Sequence, residues 1–402
     1  MEHHPPTTVY DANATKSNLN NAVDPSISKG NPLVSSWLPL IYNSLSSLLH
    51  WTGSYSAEMI EYHLAFVAEA VVPRLKPPAA ADEPRYLATH SHGIYEASIA
   101  FASHTPAKVR FSVQPLVSPA CDDLLGQKGT REKIEGIASV CSADRTWLDD
   151  FVDSVFLTAE EEAELVDKKA NGDAATSTPL QQNCFVAFDL ETNMDKNGNA
   201  AIIMKTYLFP QLKALATGQK LVDITESVMI RLAGGNKDML AAWNLLKTFL
   251  VSNHEVNIDF LAIDCLAPHK KPRAKVYVHT RLSSLSLART VFTLGGLLPN
   301  SSADFLSQVW PLLMDMEDVS QATMDGVEKP LNKPDKDNMQ SRGLCFTLSL
   351  VPGKVIPQIK MYVPMWQYAR NEADVLKRYQ RILQTEGTMG DYDIGAAVQG
   401  AL

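Results

Sequence analysis

Short runs in which apolar and polar side chains alternate recur in pairs along the chain, and the second run of each pair has the same makeup on its polar phase. In Arg273-Ala-Lys275-Val-Tyr277 two cations and a phenol take alternate positions, with Ala274, Val276 and Val278 between and after them. Lys205-Thr-Tyr207, flanked by Met204 and Leu208, and Lys360-Met-Tyr362, flanked by Ile359 and Val363, repeat the arrangement, and Arg110-Phe-Ser112 does so more weakly. Alternation with a period of two marks a β-strand, whose successive side chains point to opposite faces. A single half-buried strand would simply wet its polar face. Four such strands, each with helices over its apolar face, turn their polar faces toward a common interior. Lys and Arg gathered there require an anionic partner.

The remaining pattern fills in the helices. Residues 1 to about 30, rich in Asn, Ser, Thr and Pro, read as a mobile tail. Helical spacing runs from Trp37 to Val72, with a break at Thr52-Gly53 and a stop at Pro73; His63 sits in it as a packing or capping residue. The first hairpin is expected over Tyr86 to Ala102 and Lys108 to Val117. A helical stretch around Ile134 to Phe156 then leads into a solvated acidic segment, Glu160 to Glu164, and a loop to Pro179. The second hairpin joins Cys184 to Leu190 with Ala200 to Phe209 through Asn193 to Gly198. Helices follow at Gln211 to Ala216 and Thr225 to Leu250. The third hairpin is Ile258 to Leu266 with Ala274 to Thr280, followed by helices ending near Leu294-Gly295-Gly296 and spanning Ala303 to Leu313. The fourth is Leu344 to Val351 with Ile356 to Val363, and a last helix runs from Trp366 to Gln384. A β-β-α unit repeated four times after an initial helix predicts an α+β fold, an antiparallel barrel with helices outside, as a single domain over residues 31–402.

Charge sharpens this reading. A formal net charge of -9 argues against nucleic acid or an anionic membrane as partner, so the inward cations are placed locally rather than by overall bias. No apolar run reaches the roughly 18 to 20 residues needed to span a bilayer, and no signal-peptide core is visible, which makes the cytoplasm the expected location. Cys121, Cys141, Cys184, Cys265 and Cys345 lack a C-x-x-C pair and are expected to be reduced. Asp149, Asp150 and Asp153 mimic the metal-binding acidic helix of isoprenyl diphosphate synthases, but that enzyme class needs an all-helical fold and a second acidic motif, so a solvated helix face is expected. Gly234-Gly235 lacks any phosphate-loop context.

The ordered fragments Trp51-Thr-Gly53, Glu96 with Ser98, Val109-Arg110-Phe111, Lys205-Thr-Tyr207-Leu-Phe-Pro210, Thr217-Gly218, Arg273-Ala-Lys275-Val-Tyr277, Thr293-Leu-Gly295-Gly296 and Lys360-Met-Tyr362-Val-Pro364 resemble the fungal aromatic prenyltransferases of the dimethylallyltryptophan synthase type. The resemblance spans about residues 35 to 370. It implies a barrel of α-β-β-α units and transfer of a prenyl group, usually dimethylallyl, from its diphosphate to an aromatic carbon or nitrogen, most often of an indole. It implies no required metal or cofactor, with prenyl diphosphate as co-substrate and an aromatic small molecule as acceptor, in a monomer or homodimer. On this resemblance Glu96 holds the indole N-H, and Arg110, Lys205, Arg273, Lys275 and Lys360 bind diphosphate. Tyr207, Tyr277 and Tyr362 shield the allylic cation.

Two departures stand out. The family usually closes its barrel with a fifth hairpin, and after Tyr392 the sequence offers none, so a final unit is expected to be missing. The strand Cys184 to Leu190 also lacks the lysine proposed as a base in tryptophan-modifying members. This disfavours free tryptophan and favours an indole diterpenoid, a cyclic dipeptide or a related alkaloid; His90 and His92 are secondary candidates near the acceptor. A non-catalytic descendant that binds the same ligands is the alternative reading.

Overall fold

The computed structural model describes residues 32–75, 95–102, 105–115, 123–141, 143–171, 184–194, 199–332, 343–385, 394–395 and 398. The expected tail, the beginning of the first hairpin with His90 and His92, Cys121, the loop to Pro179, the turn at 195–198 and the segment around Tyr392 lie outside the described residues, wholly or for the most part.

Eight strands form one antiparallel sheet in chain order: β1 (Tyr95–Ala102), β2 (Thr105–Val113), β3 (Cys184–Met194), β4 (Ala200–Leu208), β5 (Asn257–Asp264), β6 (Ala274–Thr280), β7 (Leu344–Leu350) and β8 (Gln358–Tyr362). The four expected hairpins are all present, with ends shifted by a few residues. Among the described residues no fifth hairpin follows, and β1 and β8 are the two edges. The sheet is strongly curled. Lys360 on β8 feels the charge of Arg110 on β2, six strands away along the ladder. At about 4.8 Å per strand a flat sheet would hold them about 29 Å apart, far beyond the reach of charges in salt water.

The apolar phase of every strand faces outward onto helices, as its alternation requires. Val109, Phe111, Val186, Phe188, Met204, Leu208, Leu261, Ile263, Val276, Val278, Phe346 and Leu348 join one continuous core with the helices. Phe188 stacks near Phe111 and Phe66 in its centre. The covering helices are α1 (Pro32–Thr52), α2 (Ala57–Phe66), α3 (Gln127–Val140), α4 (Arg145–Val155), α5 (Ala159–Ala170), α6 (Gln211–Thr217), α7 (Leu221–Ala233), α8 (Lys237–Ser252), α9 (Leu285–Phe292), α10 (Leu306–Met314) and α11 (Glu372–Thr385).

The last helix, expected from Trp366 to Gln384, is divided into a short turn at Met365–Tyr368 and α11. Local chemistry sets the helix boundaries, and two further stretches expected to be continuous are divided by it. Asp144 caps α4 by accepting the Thr146 N–H at 2.9 Å, which separates α4 from α3. Gly234 ends α7 in the left-handed region at φ 51°, and Asn236 caps α8 by accepting the Met239 N–H at 3.0 Å. The acidic segment is helical, with Glu160 and Glu164 exposed as expected and the two glutamates between them partly buried. Glu161 pairs with Lys213 at 2.7 Å, and Glu162 accepts from Gln127 at 3.0 Å, so α5 is tied to α6 and α3. His63 packs as expected: it is fully buried between Tyr55 and Tyr62, with Nε2 3.1 Å from the Glu191 carbonyl, and burial lowers its pKa. The Tyr55 hydroxyl receives the Val109 N–H and donates to the Leu190 carbonyl, each at 2.8 Å, and so fastens α2's approach to the β2–β3 ladder.

Candidate active site

The polar phase of the strands lines the inside of the curl, and the ladder register fixes the level of each group. Arg110 on β2 lies opposite Asp189, and Lys205 on β4 lies opposite Ala187, so the cation moves two residues along β3 in crossing two strands. Lys205 lies opposite Asp264 and Lys275 opposite Ala262, again two residues along β5. Lys275 lies opposite Ser349 and Lys360 opposite Thr347, two residues along β7. A uniform stagger of one residue per strand is what strand tilt cancels in a barrel. Arg110, Lys205, Lys275 and Lys360 therefore share one level around the lumen. Tyr207, Tyr277 and Tyr362 follow the three lysines by two residues each and form the adjacent level. Ser112 continues that level on β2, and its ladder partner is Glu96 on β1.

Two carboxylates absent from the sequence-based expectation organise the cations. Lys205 donates to Asp189 Oδ1, and Arg110 Nε lies 3.0 Å from the same oxygen. Lys275 donates to Asp264 Oδ1, and Arg273 Nε donates to Oδ2 at 2.6 Å. Lys205, Lys275, Asp189 and Asp264 are all buried. Burial acts to raise the Asp264 carboxyl, but Lys275 and Arg273 outweigh it and hold the group at about 2. Burial brings Lys275 down to about 7; Asp264 opposes this, while Lys205 and Arg273 add to it. Lys205 is lowered by burial in the same way. Lys360 is exposed to the lumen and has no ion pair among the described residues. Its pKa is lowered by partial burial and then by the charges of Arg110 and Arg273.

The tyrosine level is an aromatic wall. Phe185 stacks on Tyr207 with centroids 4.5 Å apart, and Phe260 stacks on Tyr277 at 4.3 Å. Tyr207 and Tyr277 are 5.7 Å apart, Tyr277 and Tyr362 are 6.1 Å apart, and Phe209 closes against Phe185 and Phe260. Tyr207 shares a hydrogen bond with Tyr277, as Tyr277 does with Tyr362, and burial raises the pKa of Tyr207 and Tyr277. Water reaches Glu96, yet protein surrounds it closely enough to raise its pKa by loss of hydration. That combination describes a group on the wall of a wide cavity. The structure thus places the five sequence-selected cations and three tyrosines on adjoining inward levels, and Glu96 on β1 opposite Ser112. It adds Asp189, Asp264, Phe185, Phe209 and Phe260, whose signal in the sequence was their inward phase on β3 and β5 and, for Phe209, just past the end of β4.

The acidic helix is elsewhere. On α4, Asp149 pairs with Arg145 at 2.8 Å, Asp150 with Arg231 at 2.7 Å and Asp153 with Arg131 at 2.8 Å, all on the outer surface. Among the described residues no group of His, Cys, Asp and Glu forms a metal cluster, and no helix is long and apolar enough to cross a membrane.

Comparison with known proteins agrees with this geometry. An indole prenyltransferase, tdiB, of Emericella nidulans is 28% identical over 363 residues, covering 87% of this chain and 84% of that protein. An indole diterpene prenyltransferase, terF, of Tolypocladium album is 28% identical over 378 residues, covering 87% and 81%. Among solved structures, NotF in complex with brevianamide F and DMSPP superposes with a TM-score of 0.72 at 16% identity, covering 92% of this chain and 87% of that one. AnaPT from Neosartorya fischeri gives 0.68 at 22% identity, covering 92% and 84%, so the barrel of α-β-β-α units is the fold here too. The profile described as tryptophan dimethylallyltransferase matches residues 34–393, and the chain belongs to that family of prenyl-transferring enzymes.

Proposed function

We propose that the inward cations hold the diphosphate of a prenyl diphosphate, with dimethylallyl as the prenyl group, and that the tyrosine level shelters the carbocation its departure leaves. The observation that carries this reading is the adjacency of the two levels. With every group ionised, five cations against Asp189 and Asp264 leave a surplus of three positive charges, close to the charge of a fully ionised diphosphate ester. Heterolysis of the allylic C–O bond moves its electron pair onto the diphosphate, where donors already fixed in place stabilise it without reorganisation. Arg110 and Arg273 each offer a planar fork that matches phosphate oxygens. The allylic cation then lies against Tyr207, Tyr277 and Tyr362, each ring face contributing about 0.5 to 2 kcal/mol. Glu96, at the same level, accepts the indole N–H and enriches the ring for attack.

An indole larger than free tryptophan is the proposed acceptor, such as an indole diterpenoid, a cyclic dipeptide or a related alkaloid. The names of the relatives and the brevianamide F bound in NotF support it. So does β3, which carries no lysine between Cys184 and Leu190. The reaction needs no metal, and one domain over residues 31–402, as a monomer or homodimer, contains the whole site. The net charge of -9 supports a protein without nucleic-acid or membrane partners, working in the cytoplasm. Incubation with dimethylallyl diphosphate and an indole panel, with and without EDTA, is the direct test. Product is expected in both conditions. Loss of all turnover on chelation contradicts metal independence, and tight binding of a thiolodiphosphate analogue with no product from any acceptor identifies a non-catalytic binder instead.

A further inference from the structure

Prenyl transfer to an aromatic ring ends with the loss of a proton, and none of the groups described so far is suited to receive it. Arginine has no lone pair to offer, and diphosphate bound beside the lysines holds them protonated. Asp189 and Asp264 are each held between two cations. Burial raises the phenols of Tyr207 and Tyr277, and raises the Cys345 thiol to about 12. Glu96 is committed to the N–H in the reading above.

One further acid-base pair faces the lumen. His279 follows Tyr277 by two residues on β6 and so shares its inward phase, one level beyond the tyrosines. Its ladder partners are Asn257 and Cys345, and Cys345 in turn lies opposite Tyr362. Beside it, β5 carries a bulge: the register shifts between Ile258 and Phe260, leaving Asp259 as the extra residue. Bulges re-aim side chains and cluster beside active sites. The bulge sets Asp259 across the ladder from the stretch of β6 that ends in His279, near enough for its carboxylate to feel the charge of His279 and for its field to reach Cys345. Its backbone carbonyl accepts from Gln211 Nε2 at 2.6 Å, which anchors the bulge to α6.

We propose that His279, oriented by Asp259, is the base that completes the reaction. The ring nitrogen of His279 that carries a lone pair takes the proton from the prenylated ring carbon, or from the indole nitrogen in an N-prenylated product. The electron pair of the broken bond restores aromaticity, and the imidazolium stabilised by Asp259 releases its proton to water. A carboxylate that holds an imidazole in orientation and supports its charged form is a general acid-base arrangement, worth typically 100- to 10,000-fold in rate. This inference rests on the prenyl-transfer reading.

The test compares wild type, His279→Gln and Asp259→Asn with the best acceptor of the panel, in protonated and ring-deuterated forms, and with dimethylallyl diphosphate labelled with ¹⁸O at its bridging position. A nitrogen product is read in D₂O instead. In wild type, fast proton removal hides the isotope effect. In His279→Gln, turnover is expected to fall at least about 100-fold and a primary isotope effect to appear. Scrambling of the bridging oxygen in recovered dimethylallyl diphosphate should rise, because the cation still forms and returns. Asp259→Asn should show the same signature more weakly, and it carries the test if the first variant does not fold. Wild-type turnover in His279→Gln, loss of oxygen scrambling together with transfer, or the isotope signature in Glu96→Gln alone overturns the proposal. Absence of product from wild type with every acceptor would instead remove the prenyl-transfer reading on which it rests.

Discussion

Lys275 and Lys360 bring the same charge into the same lumen from strands two apart, yet their surroundings are opposite. Lys275 is buried behind Asp264, with Arg273 on the other carboxylate oxygen, whereas Lys360 stands exposed on edge strand β8 without an ion pair among the described residues, where the repulsion of Arg110 and Arg273 outweighs the more distant pull of Asp189 and Asp264. The difference separates two tasks. A cation locked to a carboxylate is positioned before the ligand arrives and needs no reorganisation during the reaction. A cation repelled by Arg110 and Arg273 gains most when an anion enters between them. Under the proposed function, the buried set prepares the transition state, and the open lysine captures the substrate.

The largest test of this division is Lys275→Ala. Removing one preorganised donor should lower kcat about 100- to 1,000-fold, with a smaller change in KM for prenyl diphosphate, measured by steady-state kinetics. If KM alone rises, the division fails. Asp264→Asn comes next. It leaves Lys275 and Arg273 without their buried counter-charge and should cost about 3 kcal/mol of stability, measured by urea unfolding.

The same carboxylate gives the pH dependence a sign. Its folded pKa of about 2 lies below the ordinary value of 3.8. Its contribution, of order 2.5 kcal/mol, is complete above about pH 4 and disappears as pH falls toward 2. Acid unfolding of Asp264→Asn should be flatter than wild type across that window. Lys360→Ala should raise KM for prenyl diphosphate about tenfold, the equivalent of one charge-assisted hydrogen bond of about 1.5 kcal/mol, and leave the melting temperature unchanged. An equal loss of stability in both lysine variants would erase the contrast.

The smallest effect is a proton. Lys275, at about 7 in the free enzyme, regains its full charge when an anion binds beside it. Diphosphate binding at pH 7 to 8 should therefore take up a fraction of a proton, detected as a difference in calorimetric heat between buffers of unlike ionisation enthalpy. Affinity should weaken as pH rises above 7. A buffer-independent heat would show that Lys275 stays charged throughout.

The hairpins, the outward core and the inward phase of the cations and tyrosines were readable from the sequence because a period of two assigns each side chain to one face without reference to any other strand. What the sequence hid depends on cross-strand register. Asp189 sits at the end of the inward series Phe185, Ala187, Asp189, and Asp264 ends Phe260, Ala262, Asp264; each looks like a strand terminus until Arg110, Lys205, Arg273 and Lys275 are placed opposite or beside them. Asp259 was hidden for a related reason: a bulge breaks the very alternation by which faces are read. The divisions between α3 and α4 and between α7 and α8 were missed where a capping Asp144 and a left-handed Gly234 interrupt runs of good helix formers.

The one-residue stagger makes the chain very unequal in its tolerance of insertions and deletions. A residue lost from the connection between two hairpins changes only how far the backbone must travel. A residue lost between Ala200 and Lys205 would turn Lys205 and Tyr207 outward against the helices and bring Met204, Thr206 and Leu208 into the lumen, because every side chain beyond the change swaps faces. Natural variation in length among such barrels should therefore collect in the connections, while the strands keep their count even where their residues diverge.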